Sequence, residues 1–192
     1  MNFRGQIGAG LMLAIAISGV YAAEPLKSGP EVGSKKISPF HPLNVTGSAA
    51  GKPQCLVWVN GGNPVAMIFA RNIDSSLTSL VKKIDAATKE NSSAKMGSFV
   101  VFLASEDDAK KMEVSLPEYA KKENIKSVVL AIDNAAGPQG YNIAKDAEVT
   151  VVLYSKKTVK ASHVFRKGEL NEKAVEAIVK DIPKILEKDE KK

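Results

Sequence analysis

Pro64-Val65-Ala66-Met67-Ile68-Phe69-Ala70-Arg71-Asn72-Ile73-Asp74-Ser75-Ser76-Leu77 is the stretch on which the fold turns. Its first half is a β-rich apolar run that reads as a strand. Behind it, Leu77, Leu80, Val81, Ile84 and Ala87 recur at helical spacing, with Asp74 or Ser75 placed to cap the first turn. The stretch is therefore a strand, a short loop and a helix. Its loop contains no cysteine and no histidine.

Working outward, residues 54–59 form a second β-rich run, Gln54-Cys55-Leu56-Val57-Trp58-Val59, separated from the first by Asn60-Gly61-Gly62-Asn63. Asn and Gly tolerate the positive φ that tight hairpins demand, so a hairpin is expected here, with Cys55 at the start of one strand. Residues 40–45 suggest a short strand before it. On the other side, Ser98-Phe99-Val100-Val101-Phe102-Leu103 is continuously apolar, as in a strand covered on both faces. Ser105-Glu106-Asp107-Asp108 resembles a capping box, and the helix it opens is expected to break before Pro117. Residues 127–132 make a further buried strand, ended by Asp133 and an Asn/Ala/Gly/Pro loop. Residues 149–154 and 158–165 pair around Ser155-Lys156-Lys157. Asn171 caps a last helix, kinked at Pro183, with Val175, Ile178, Ile182 and Ile185 on one face. Strands alternating with helices, then a closing hairpin and helix, predict an α/β three-layer sandwich with a mixed central sheet and an N-terminal β-hairpin extension.

The chain has 192 residues and a formal charge of +6, and only Arg4, Arg71 and Arg166 among its 27 basic residues are arginine. The lysines are scattered among Asp and Glu, which argues for a solvated surface and against nucleic acid as a partner. Met1-Asn2-Phe3-Arg4, the apolar run 8–20 and Val20-Tyr21-Ala22 are the three parts of a secretory signal. The apolar run is shorter than the ~20 residues of a membrane-spanning helix, so no membrane span is expected in the mature chain. The expected organisation is a signal peptide over 1–22 with cleavage near Ala22, an irregular arm over 23–39, one domain over 40–188 and a charged tail over 189–192. The product would be periplasmic or secreted.

The order of these elements resembles the thioredoxin-like superfamily, especially its redoxin and thiol-specific-antioxidant (peroxiredoxin-like) branch, over residues 29–186. The residues that carry the likeness are Pro30-Glu31-Val32-Gly33, Pro39-Phe40, Asn44-Val45-Thr46-Gly47, the central strand 64–70, and the passage from Asp133 to Gly140-Tyr141-Asn142-Ile143. Cys55-Leu56-Val57-Trp58, a Gly-rich turn and Pro64-Val65 through Arg71 also follow the order of a secreted bacterial subgroup, with Trp58 where a second cysteine would stand. The resemblance implies that Asn72, Ile73, Asp74, Ser75, Ser76 and Leu77 occupy the redox loop, and that Val149 occupies the position of the family's cis-proline. A trans peptide is expected there, because a non-proline cis bond costs ~3 kcal/mol.

The chemistry implied by the family needs a thiolate at a helix start and a second thiol to resolve the mixed disulfide. Neither is present in the loop, and a serine without a base is no substitute. Cys55 is the sole cysteine and the one catalytic candidate, with a buried packing role as its alternative. Cys55 with His41 or His163 and a methionine such as Met67 could bind a soft metal, although their spacing is not that of a recognisable ligand set. No cofactor is implied. The expectation is an exported, redox-inactive binding or structural module with an unidentified protein or small-molecule partner. A one-cysteine oxidoreductase or thiol sensor and a periplasmic metal carrier remain open beside it.

Overall fold

The computed structural model describes residues 26–186, so the expected signal peptide, its cleavage site and the charged tail lie outside the described residues. The central strand is β3 (Val65–Ala70), every residue of which is buried. It is flanked by parallel β4 (Gly97–Ala104) and antiparallel β6 (Val149–Ser155). With β1 (Leu43–Asn44), β2 (Lys52–Pro53), β5 (Val129–Asn134) and β7 (Thr158–Phe165), these form one mixed sheet in the order β2-β1-β5-β4-β3-β6-β7.

All the long helices lie on one face. They are α2 (Ser75–Glu90), α3 (Glu106–Glu123) and α4 (Glu172–Asp181), followed by the short α5 (Pro183–Leu186). Leu77, Leu80, Val81 and Ile84 of α2 pack with Leu116 of α3 and Val175 and Ile178 of α4 over the sheet residues Ala66, Ile68, Val100 and Phe102. Each side chain of that size taken fully out of water contributes about 1.5–3 kcal/mol. Asn171 caps α4 by accepting from the Ala174 backbone N–H, and the chain turns at Ile182 where Pro183 opens α5.

The opposite face is covered differently, by a short helix, the N-terminal arm and the loop 135–147. Ile37, Phe40, Leu56, Val57, Tyr141 and Ile143 pack there on Met67, Phe69, Phe99 and Val152. The arm is irregular yet tightly docked. Gly33 and Ser34 exchange backbone hydrogen bonds with Val159 of β7 (2.9 Å each), and the Ser28 and Thr150 hydroxyls meet at 2.8 Å. Gly29 has φ +78°, and a Cβ there would stand 2.9 Å from the Thr150 methyl, so this crossing needs glycine twice over.

Two expectations are corrected. Residues 54–59 are not a strand: Leu56–Asn60 is the helix α1, with Cys55 at its N-cap and Gly61 (φ +55°) at its C-cap. The reason is tertiary. Cys55, Leu56 and Val57 are buried consecutively while Trp58 and Val59 face out, a burial pattern that an alternating strand cannot give. The Gly-rich segment that reads as hairpin chemistry serves instead as a helix stop, since both demand positive φ. The N-terminal hairpin is β1 with β2, paired Leu43↔Pro53 and Asn44↔Lys52. The second correction concerns α3, which runs unbroken through Pro117. Leu116 and Ala120 anchor it to the core on either side, and exposed Pro117 leaves its missing hydrogen bond on the solvent side. Among the described residues, no helix is long and apolar enough to cross a membrane.

Candidate functional site

The loop 71–74 leaves the carboxyl end of β3, the edge of an open α/β sheet where ligand sites gather. Its chemistry is set by an arginine. The Arg71 guanidinium donates from Nε to the Ala147 carbonyl (3.0 Å), from Nη1 to Ala135 (2.8 Å) and from Nη2 to Ala144 (3.2 Å). The planar fork of fixed donors lets one side chain tie three carbonyls that lie apart. Asn72 adds a hydrogen bond from Nδ2 to Glu148 Oε1 (2.7 Å). The loop before α2 is thereby laced to the loop before β6.

Asp74 is the N-cap of α2: its Oδ1 accepts from the Leu77 backbone N–H at 2.7 Å, and its carbonyl accepts from the Thr78 hydroxyl. Ser75 and Asp74 are exposed, Ser76 is half-buried, and Leu77 points into the core. Ile73 is an apolar side chain 37% exposed. Across from this loop, Val149 opens β6 and pairs with Ala70. It is buried, and no peptide bond among the described residues is cis. The backbone at Glu148 is fully engaged, its carbonyl by the Arg71 N–H (3.1 Å) and its N–H by the Phe165 carbonyl (2.8 Å). Both main-chain groups of Glu148 are thus spent within the fold.

Cys55 lies on the arm side of the sheet. It is 3% exposed, within the same packed cluster as Tyr141 and Tyr154. Burial pushes both phenols far above their ordinary range, with Tyr154 and Cys55 adding to the shift of Tyr141 and Cys55 to that of Tyr154. Tyr141 Oη donates to the Ser38 carbonyl at 2.6 Å, and its ring packs on Phe40 and Phe69. This is a core tyrosine pinning the arm. At five residues, α1 has too few aligned peptides to activate a thiol at its start.

The metal candidates are not brought together. His41 meets Trp58 edge-on at 5.4 Å, whereas His163 of β7 bonds Asp181 of α4 at 3.0 Å. Met67 is fully buried in β3. Among the described residues there is no group of three or more His, Cys, Asp or Glu placed to hold a metal. The residue that sequence reasoning missed is Arg71. Its signal was available: it is one of three arginines in a lysine-rich chain, set directly after a fully buried strand.

No family model matches the chain, and no curated protein matches its sequence. Solved structures match over most of its length. One is a protein assigned as a disulfide isomerase from Bacteroides thetaiotaomicron, at 16% identity and a TM-score of 0.62, covering 85% of this chain and 96% of that one. Another is a protein assigned as a thiol:disulfide interchange protein, DsbE, from Chlorobium tepidum, at 14% identity and a TM-score of 0.58, covering 85% and 100%. A third is the peroxidoxin BcpB from Mycobacterium tuberculosis, at 14% identity and a TM-score of 0.55, covering 84% and 97%. The chain has the thioredoxin-like α/β fold of these redoxin-type proteins, with a single cysteine.

Proposed function

We propose that this thioredoxin-like chain is an exported binding module that has given up thiol-disulfide exchange. The observation that carries the reading is the lacing of the loop 71–74. Where redoxin chemistry needs a reactive thiol at a helix start, this chain has Asn72 to Leu77 without one, and Arg71 fastens the loop to three carbonyls across from it. Val149, taken as the counterpart of the family's cis-proline, follows a residue whose main-chain groups are both internally bonded. A substrate strand would find no hydrogen-bonding edge at that place. The export half of the reading rests on the signal-like sequence of residues 1–22.

The one-cysteine alternative draws no support from the setting of Cys55, because reactive thiols are partly exposed and sit in electropositive surroundings. Cys55 is instead sealed among aromatic and aliphatic side chains. The test is an insulin-reduction assay on the mature protein with dithiothreitol as electron source. The expected rate equals that of dithiothreitol alone. Catalysed turnover that a Cys55→Ser variant abolishes would overturn the proposal.

A further inference from the structure

A groove of about 520 Å³ opens at the carboxyl ends of β4 and β5, one strand away from the laced loop. Its walls are apolar, from Leu43, Pro53, Ala104 and Ile132, and its rim carries Glu106 and Asp133. Leu43 also lines an adjoining hollow with Glu113. Glu106, Ala109 and Glu113 are spaced i, i+3 and i+7, so the two carboxylates follow one face of α3 toward β1.

The charge is the informative part. The chain carries 27 basic residues and a net +6. Yet among the described residues no lysine, arginine or histidine pairs with Glu106, Glu113 or Asp133. Asp133 spends only Oδ1, on the N–H and Nδ2 of Asn134. Lys52 and Lys110 adjoin wall residues in sequence but do not line the groove. The positive end of the α3 dipole accounts for Glu106 in the first turn, but not for Glu113 two turns on or for Asp133 on β5. His41 lines the groove as well, and against it packs the sole tryptophan, Trp58, 62% exposed. A groove that combines apolar walls with carboxylates unpaired by any described cation is suited to a cation on an apolar stem, and Trp58, against the lining residue His41, is placed to report its arrival.

We infer that this groove receives a short segment of a partner protein in which a lysine or arginine lies between apolar residues. The volume falls within the ~300–1,000 Å³ of clefts that take a small ligand, room for one or two side chains of a partner segment. The apolar walls bury the flanking side chains, and Asp133 and Glu106 take the cation. The inference rests on the binding-module reading, but its readout is separate: insulin turnover would defeat that reading and leave peptide binding to be judged alone.

The probe is a blocked pentapeptide of alternating leucine and arginine, compared with its leucine/glutamate counterpart. Trp58 fluorescence and backbone amide chemical shifts of the mature protein report binding. The basic peptide is expected to give saturable quenching or shift, with amide changes confined to the neighbourhood of His41, Ala104, Ile132 and Ala135. The acidic peptide should bind at least about tenfold more weakly, and a Glu106→Gln/Asp133→Asn variant should lose about fivefold for the basic one. Both substitutions preserve shape at the surface, and Glu113→Gln, a single change outside the first helical turn, should weaken binding in the same direction. The inference is overturned by equal affinity for the two peptides, by undiminished binding to all charge variants, by amide changes elsewhere on the molecule, or by no saturation at about 1 mM peptide.

Discussion

Arg71 holds the candidate site in its present shape. Its three carbonyl bonds replace water for groups that the loop 135–147 would otherwise leave poorly satisfied. Hydrogen bonds from a charged donor contribute about 1.5–3 kcal/mol each when buried, and less here because the guanidinium is partly exposed. Arg71→Ala is expected to cost about 2 kcal/mol, measured as a lower urea midpoint, with hydrogen exchange accelerated in 135–147 and unchanged in β3. Arg71→Lys should recover little, since an ammonium is a point donor and cannot span three acceptors. Close approach matters also at Gly97: any Cβ there would collide with the Asn60 amide and displace it from its hydrogen bond to the Leu56 carbonyl at the end of α1.

At the scale of elements, the sequence was most readable where burial is one-sided and periodic. The helix α2 follows its Leu77, Leu80, Val81, Ile84 pattern and its Asp74 cap, and the β6–β7 hairpin turns at Lys156 and Lys157, where it was expected. It was misread where two conformations share the same chemistry. Val57, Trp58 and Val59 have strand propensity, but the packing of Leu56 and Val57 on the sheet outweighs it. Pro117 is a helix breaker by propensity, yet α3 absorbs it between two buried anchors. The site was half legible: the missing thiol could be seen in Asn72 to Leu77, while the partners of Arg71 lie 64 to 76 residues away and leave no local trace. The tolerated proline carries a prediction. Pro117→Ala restores the helical N–H and removes the ring's crowding of the preceding turn, at the loss of some chain stiffness in the unfolded state. The net expected gain is about 1–2 kcal/mol, seen as a rise in Tm.

The whole molecule is closed by the contact between its last strand and last long helix. His163 of β7 and Lys184 of α5 both reach Asp181, at 3.0 and 2.7 Å. Burial alone would raise this carboxyl, but the hydrogen bonds from Lys184 and His163 outweigh it and hold it below the usual carboxylate range. A carboxyl depressed in the folded state stabilises the fold above its ordinary value of about 4, and that stability is lost as pH falls through the lower folded value. The contribution of Asp181 should therefore fade as pH falls below about 4, and Asp181→Asn should flatten the acid limb of stability against pH while lowering the plateau near neutrality. An unchanged acid limb would remove Asp181 from that role.

Whether Cys55 is a packing group or a reagent decides between a binding module and a one-thiol oxidoreductase. The direct measurement is the alkylation rate of Cys55 by iodoacetamide in the native chain, set against the rate in denaturant at the same pH. A sealed thiol reacts only through opening of the structure, so the native rate should be lower by about a hundredfold or more. A native rate equal to or faster than the unfolded one would show Cys55 to be accessible and activated, and would contradict the account.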